Sequence, residues 1–128
     1  MPTLAEAHAA LDLATATAFS GYNVYYKDQT VPEMTEPFIK QMVVFSRSSQ
    51  SELGNSVNGR NRGSVIFIFH RKKGEGSSLL NTWNQILINT FRSKTIGGVV
   101  LQSVVSSNSG ETEQWVISVS EVPFYFDS

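Results

Sequence analysis

The residues able to do chemistry are few and scattered. The chain of 128 residues has two histidines, His8 and His70, and no cysteine. Disulfides and thiolate metal sites are therefore excluded. His8 falls in a helical pattern and His70 ends an apolar run, with no second histidine nearby at ligand spacing, so both read as packing or surface residues. Serine is abundant, but none sits in a G-x-S-x-G elbow or an S-x-x-K pattern. Glu6 and Asp12 are six residues apart on one helix, which does not set them side by side. Glu111 and Glu113 fall in or beside a turn, where hydration explains them. Gly74-Glu-Gly76 and Gly97-Gly98 lack the other residues of a phosphate cradle. No nucleophile, acid–base pair or ligand set emerges. The expectation is a protein that is not an enzyme and holds no cofactor or metal.

Charge offers a second kind of chemistry. The net charge is −1, which does not suit a dedicated nucleic-acid binder. Its distribution is uneven. Residues 47–73 carry six bases, Arg47, Arg60, Arg62, Arg71, Lys72 and Lys73, against the single acid Glu52, a net +5. The last 18 residues carry Glu111, Glu113, Glu121 and Asp127 and no base, a net −4. Two solvated faces would account for this, and so would complementary contact surfaces. Phe67 and Phe69 lie between the two basic clusters and superficially suggest base-stacking platforms. They are two apart within a continuous apolar run, however, and core placement is expected.

The elements that must position these groups can be read in order. Thr3 and Glu6 form a T-x-x-E capping box, followed by Leu4, Ala7, Leu11, Ala14 and Ala18 at helical spacing, with Gly21 as a stop. This stripe of small side chains should pack closely on something flat. Asn23–Lys27 reads as a short strand and Asp28–Pro37 as a proline-bearing loop. Phe38–Phe45 reads as a strand apolar in both phases, hence covered on both faces. Residues 46–63, SRSSQSELGNSVNGRNRG, read as a long polar loop that orders on assembly. Val65–Phe69 is the strongest strand. A second helix starts near Ser77 or Ser78, with Leu79, Leu80, Trp83, Ile86, Leu87 and Phe91 on its apolar face. Arg92 and Lys94 should close it and Gly97-Gly98 stop it. Val99–Val105 and Gln114–Val122 form a hairpin through SSNSGE.

The order α-β-β-β-α-β-β predicts one α+β domain over residues 1–128. It should be a mainly antiparallel sheet of about four to five strands with two helices packed on one face. Hydrophobic content of 41% supports a single core. No apolar run approaches the roughly 20 residues of a membrane span. The stretch MPTLAEAHAALDLATATAF lacks the basic and apolar regions of a signal peptide.

This arrangement resembles the phage tail terminator-like family, the tail completion proteins of long-tailed phages. The resemblance rests on Gly59-Arg-Asn-Arg-Gly63 running into Val65–Phe69, on Gly97-Gly98-Val99 after the second helix, and on Val122-Pro-Phe-Tyr125. It covers nearly the whole chain in element order. It implies a structural virion protein forming a ring, typically a hexamer, on the head-proximal end of the tail. Such a ring ends polymerisation of the major tail tube protein and receives the head-completion or neck proteins. It implies assembly in the host cytoplasm, no membrane, and DNA passing through the ring without sequence-specific binding. Another head–tail connector (neck, stopper or adaptor) and a DNA-binding accessory protein are the alternatives.

A head-to-tail ring needs unlike patches. The expected subunit or tube contacts are therefore basic Arg47, Arg60, Arg62, Arg71, Lys72 and Lys73 facing acidic Glu111, Glu113 and Glu121 of a neighbour. Phe124, Tyr125 and Phe126 should be structural or interfacial. Three successive aromatics cannot all face one core from a strand.

Overall fold

In the computed structural model, residues 3–26, 29, 30, 32, 35–50, 59–74, 78–112 and 114–127 are described, without the side chains of 46–50, 59 and 107–109. The chain is α+β, and the described residues form helices α1 (Leu4–Ala18) and α2 (Ser78–Phe91) and seven strands. The strands are β1 (Asn23–Tyr26), β2 (Phe38–Gln50), β3 (Gly59–Lys72), β4 (Thr95–Ile96), β5 (Val99–Leu101), β6 (Val105–Glu111) and β7 (Trp115–Asp127). They form one sheet in the order β1-β2-β3-β7-β5-β4, and β6 also pairs with β7. Only β1–β2 is parallel among these pairs. The expected four to five strands are therefore too few. The helices also do more than form a plain layer: α1 touches α2 and the short β4, while α2 touches β3.

Helix α1 begins as its sequence dictates. The Glu6 amide donates to the Thr3 hydroxyl at 3.1 Å and the Thr3 amide to the Glu6 carboxylate at 3.2 Å. Ala7, Leu11 and Thr15 are buried, one helical turn apart. Thr15 is tolerated there because its hydroxyl donates to the Leu11 carbonyl and accepts from the Gln41 amide of β2. Gln41 also donates to Asp12. Leu4, expected inside, stays half exposed. The helix ends at Phe19, whose amide bonds the Thr15 carbonyl, and not at Gly21. That earlier stop drops the Phe19 ring onto Phe67 (5.9 Å) and Phe69 (6.5 Å) of β3.

Helix α2 buries Trp83, Leu87 and Phe91 completely, at i, i+4 and i+8. Trp83 lies 5.1 Å from Phe69, and Phe91 5.6 Å from Phe67. Fully burying each such side chain contributes about 1.5–3 kcal/mol. The helix stops at Phe91, so Arg92 and Lys94 follow it and do not sit in its last turn. Ser93 takes the left-handed conformation, with φ 53°. Gly97 and Gly98 do a different job from the one expected. With φ 57° and 85° they link β4 to β5, as a type I′ hairpin turn requires.

Two expected loops are partly strand. Residues 46–50 continue β2 and 59–63 begin β3, paired from Arg47↔Arg62 to Gln50↔Gly59, with a register shift after Phe45. Backbone hydrogen bonds extend the ribbon past the apolar core, so polar composition did not mark its end. Residues 51–58 lie outside the described residues. Likewise Ser106–Glu111 is strand and not turn. β6 ends at Glu111 and β7 starts at Trp115, whose amide donates to the Thr112 hydroxyl.

The core lies on one phase of the three long strands: Ile39, Gln41 and Val43; Val65, Phe67 and Phe69; Ser118, Ser120, Val122, Phe124 and Phe126. Ser120 donates to Asn84 of α2. On the other phase of β2 Phe38 is buried but Met42 and Val44 keep solvent contact, so full cover on both faces is not seen within the subunit.

Candidate subunit interface

The two oppositely charged segments are neighbouring strands of one sheet. β3 and β7 pair along their whole length, from Arg60↔Asp127 to Lys72↔Trp115. Much of the contrast in charge is thereby answered inside the subunit. The Arg60 guanidinium donates to both Asp127 oxygens, at 2.9 and 3.2 Å, and lies 4.3 Å from the Tyr125 ring centroid. That hydrogen bond holds the Asp127 carboxyl below its usual pKa and raises Arg60. Lys73 lies 3.5 Å from Glu111 at the tip of the β6–β7 hairpin, and Lys72 lies 3.5 Å from Glu36. Glu121 sits on β7 and accepts from the Ser64 hydroxyl at 2.5 Å. The exposed ion pairs are worth little individually, and salt weakens them.

The remaining candidates divide. Arg62 is exposed on β3 and Arg71 half-buried at its far end. Arg47 is a β2 residue whose side chain lies outside the described set, as does all of Glu113. Phe124 and Phe126 are 1% exposed, so their place is the core of the subunit and not an interface. Their rings stack at 6.3 Å and both meet Phe45. Tyr125 alone points the other way, under Arg60. Period-two alternation decides this split. Phe67 and Phe69 are fully buried, as expected, and cannot serve as stacking platforms.

One arrangement escaped the sequence reading. Phe38 and His70, paired across β2 and β3, stack at 4.1 Å with ring planes 10° apart. The Trp115 edge closes on both, at 5.3 Å from Phe38 and 6.4 Å from His70. Burial pushes the His70 pKa down; a backbone contact with Ile68 partly opposes this, and nearby Lys40 adds to it. The neutral ring is thus the form that folds best. Its contribution is full above the unfolded-state pKa of about 6.5 and declines as pH falls through the folded-state value. Unfolding midpoints in urea should therefore drop on acidification from pH 7 to 5, and His70→Phe should flatten that dependence. An equally steep decline in the variant would assign it to other groups.

Comparison with known proteins adds the fold and no more. No family model matches the sequence, and no curated protein does. One solved structure superposes with a TM-score of 0.72 at 12% identity, covering 98% of this chain and 96% of that chain; its name states no function. Near-complete coverage in both directions means that the two share the fold from end to end. No helix among the described residues is long and apolar enough to cross a membrane.

Proposed function

We propose that this chain is a non-enzymatic structural subunit that assembles as a ring on the head-proximal end of a phage tail tube, ends tube growth and receives the head. One observation carries the reading. Two of the three segments on which the family resemblance rests, Gly59–Gly63 and Val122–Tyr125, are far apart in sequence yet form one paired unit, with Gly63↔Phe124 and Arg62↔Tyr125 in register. Arg60, the first arginine of that motif, packs over Tyr125, the last residue of the other. Short motifs without catalytic logic thus acquire a common structural purpose.

The fold suits ring assembly. A closed ring is heterologous, joining different patches of neighbouring subunits. β1 and β4 end the sheet on opposite sides and offer unlike strand edges. With Arg60 and Lys73 already paired within the subunit, electrostatics has a smaller part between subunits than the charge count alone would give it. The partners are further copies of this chain, the tail tube protein and a head-completion or neck protein.

The deciding experiment is a lysate lacking this gene product. Tails of uncontrolled length that fail to join heads are expected in electron micrographs. Uniform tails attached to heads would overturn the reading.

A further inference from the structure

Sheet strands with both faces apolar lie between two layers in most folds, because each apolar face left in water is a loss. Here the core cluster takes only one phase of the sheet. The opposite phase carries Met42 and Val44 on β2, Ile66 and Ile68 on β3, Ile117 and Val119 on β7, and Val105 on β6. The register places them side by side: Met42↔Ile66↔Glu121↔Val105 in one row and Lys40↔Ile68↔Val119 in the next. None of these apolar residues belongs to the core cluster or packs against it. All keep solvent contact, and Val44 and Val105 are 36% and 57% exposed. A contiguous apolar surface of this kind marks a contact site.

Charge indicates what covers it. Among the described residues of these two rows, Lys40 on β2 is the only base and Glu121 on β7 the only acid. They flank the apolar centre on opposite sides, one row apart. A two-fold axis along β3 lays β2 of one copy over β7 of the other. Each Lys40 then faces the partner's acidic row across the roughly 10 Å that separates packed sheets. The diagonal offset of one row adds about 7 Å along the strand, within reach of a lysine and a glutamate together. The same surface is complementary to itself.

We propose that this sheet face packs against the same face of a second copy of the chain, joined by Lys40–Glu121 pairs around an Ile66–Ile68 centre. The pair is isologous. It leaves β1 and β4, the sheet ends, for head-to-tail contacts, and it does not depend on the ring reading.

The test is light scattering on the purified full chain across a concentration series. A species of twice the chain mass is expected. Ile68→Lys, which puts an unpaired charge at the centre, should weaken pairing at least about 100-fold while circular dichroism stays native. Lys40→Glu and Glu121→Lys should each weaken it about tenfold or more, and the double exchange should restore it, since like charges are removed together. The restoration keeps the test clear of misfolding. A wild type that stays monomeric, or that occupies this face only when tube protein is added, overturns the proposal. So does pairing that Ile68→Lys leaves intact, or a double exchange that fails to restore it. Absence of rings in micrographs would strike the proposed function alone.

Discussion

A chain shortened by removal of residues 123–128 is expected to yield no folded protein. The deleted stretch, PFYFDS, contains the last five residues of the central strand β7. It pairs on one side with β3, from Ser64↔Pro123 to Arg60↔Asp127, and on the other with β5, through Leu101↔Phe124 and Val100↔Tyr125. Its loss strips backbone partners from both. It also empties the space of two fully buried phenylalanines. Truncating one buried phenylalanine costs about 3–5 kcal/mol, against a total stability of about 5–15 kcal/mol for a typical domain. Phe124→Ala and Phe126→Ala should therefore each fold with a strongly lowered urea midpoint, while the truncation should be insoluble or lack a cooperative transition. A truncated chain melting cooperatively near the wild-type temperature would show that this half-strand is dispensable, and the account of the core would be wrong.

The same strand shows what could be read in advance. Alternation predicts that Phe124, Tyr125 and Phe126 split between two faces, and they do. The capping box of Thr3 and Glu6 and the apolar phase of α2 were legible because local geometry and burial coincide there. What failed to show were segments whose structure comes from backbone pairing alone. Arg47–Gln50 and Ser106–Glu111 are strands whose residue types carry no apolar phase to advertise them. Gly97-Gly98 read as a helix stop, although its flanks, Thr95-Ile96 and Val99-Val100, carried the hairpin signal. The uneven charge was visible, but its meaning depended on strand order. Only the adjacency of β3 and β7 turns Arg60 and Asp127 into partners within one subunit. The apolar face around Ile66 and Ile68 was half visible: both phases of β2 and β3 are apolar, but sequence does not say which phase the core cluster takes.

Gly63→Val is expected to destabilise the subunit by about 3 kcal/mol or more, toward or beyond the usual upper range for overpacking. The reason is space and not backbone freedom, for Gly63 does not have a positive φ. It lies opposite Phe45 on β2 and Phe124 on β7, just where the β2–β3 register shifts. A Cβ there would stand 2.2 Å from the Val44 carbonyl oxygen, 2.7 Å from the Phe124 ring and 3.1 Å from the Phe45 Cα. The ring could turn; the carbonyl belongs to a paired backbone and cannot move without breaking the ladder. Phe45 and Phe124, 5.8 Å apart edge to face, already fill the volume a side chain would need. Glycine is thus what lets two aromatics close over the middle strand of a sheet, and this gives the last residue of Gly59–Gly63 a physical reason to be glycine. Even Gly63→Ala should lower the urea midpoint markedly. Gly21→Ala is the control: nothing lies within 4 Å of its Cβ position and its φ is not positive, so stability should hold or rise by about 0.4–1 kcal/mol. If Gly63→Val and Gly21→Ala unfold at the same urea concentration, β2 yields more readily than its pairing implies, and the close approach of Val44 to Gly63 is not a constraint on this fold.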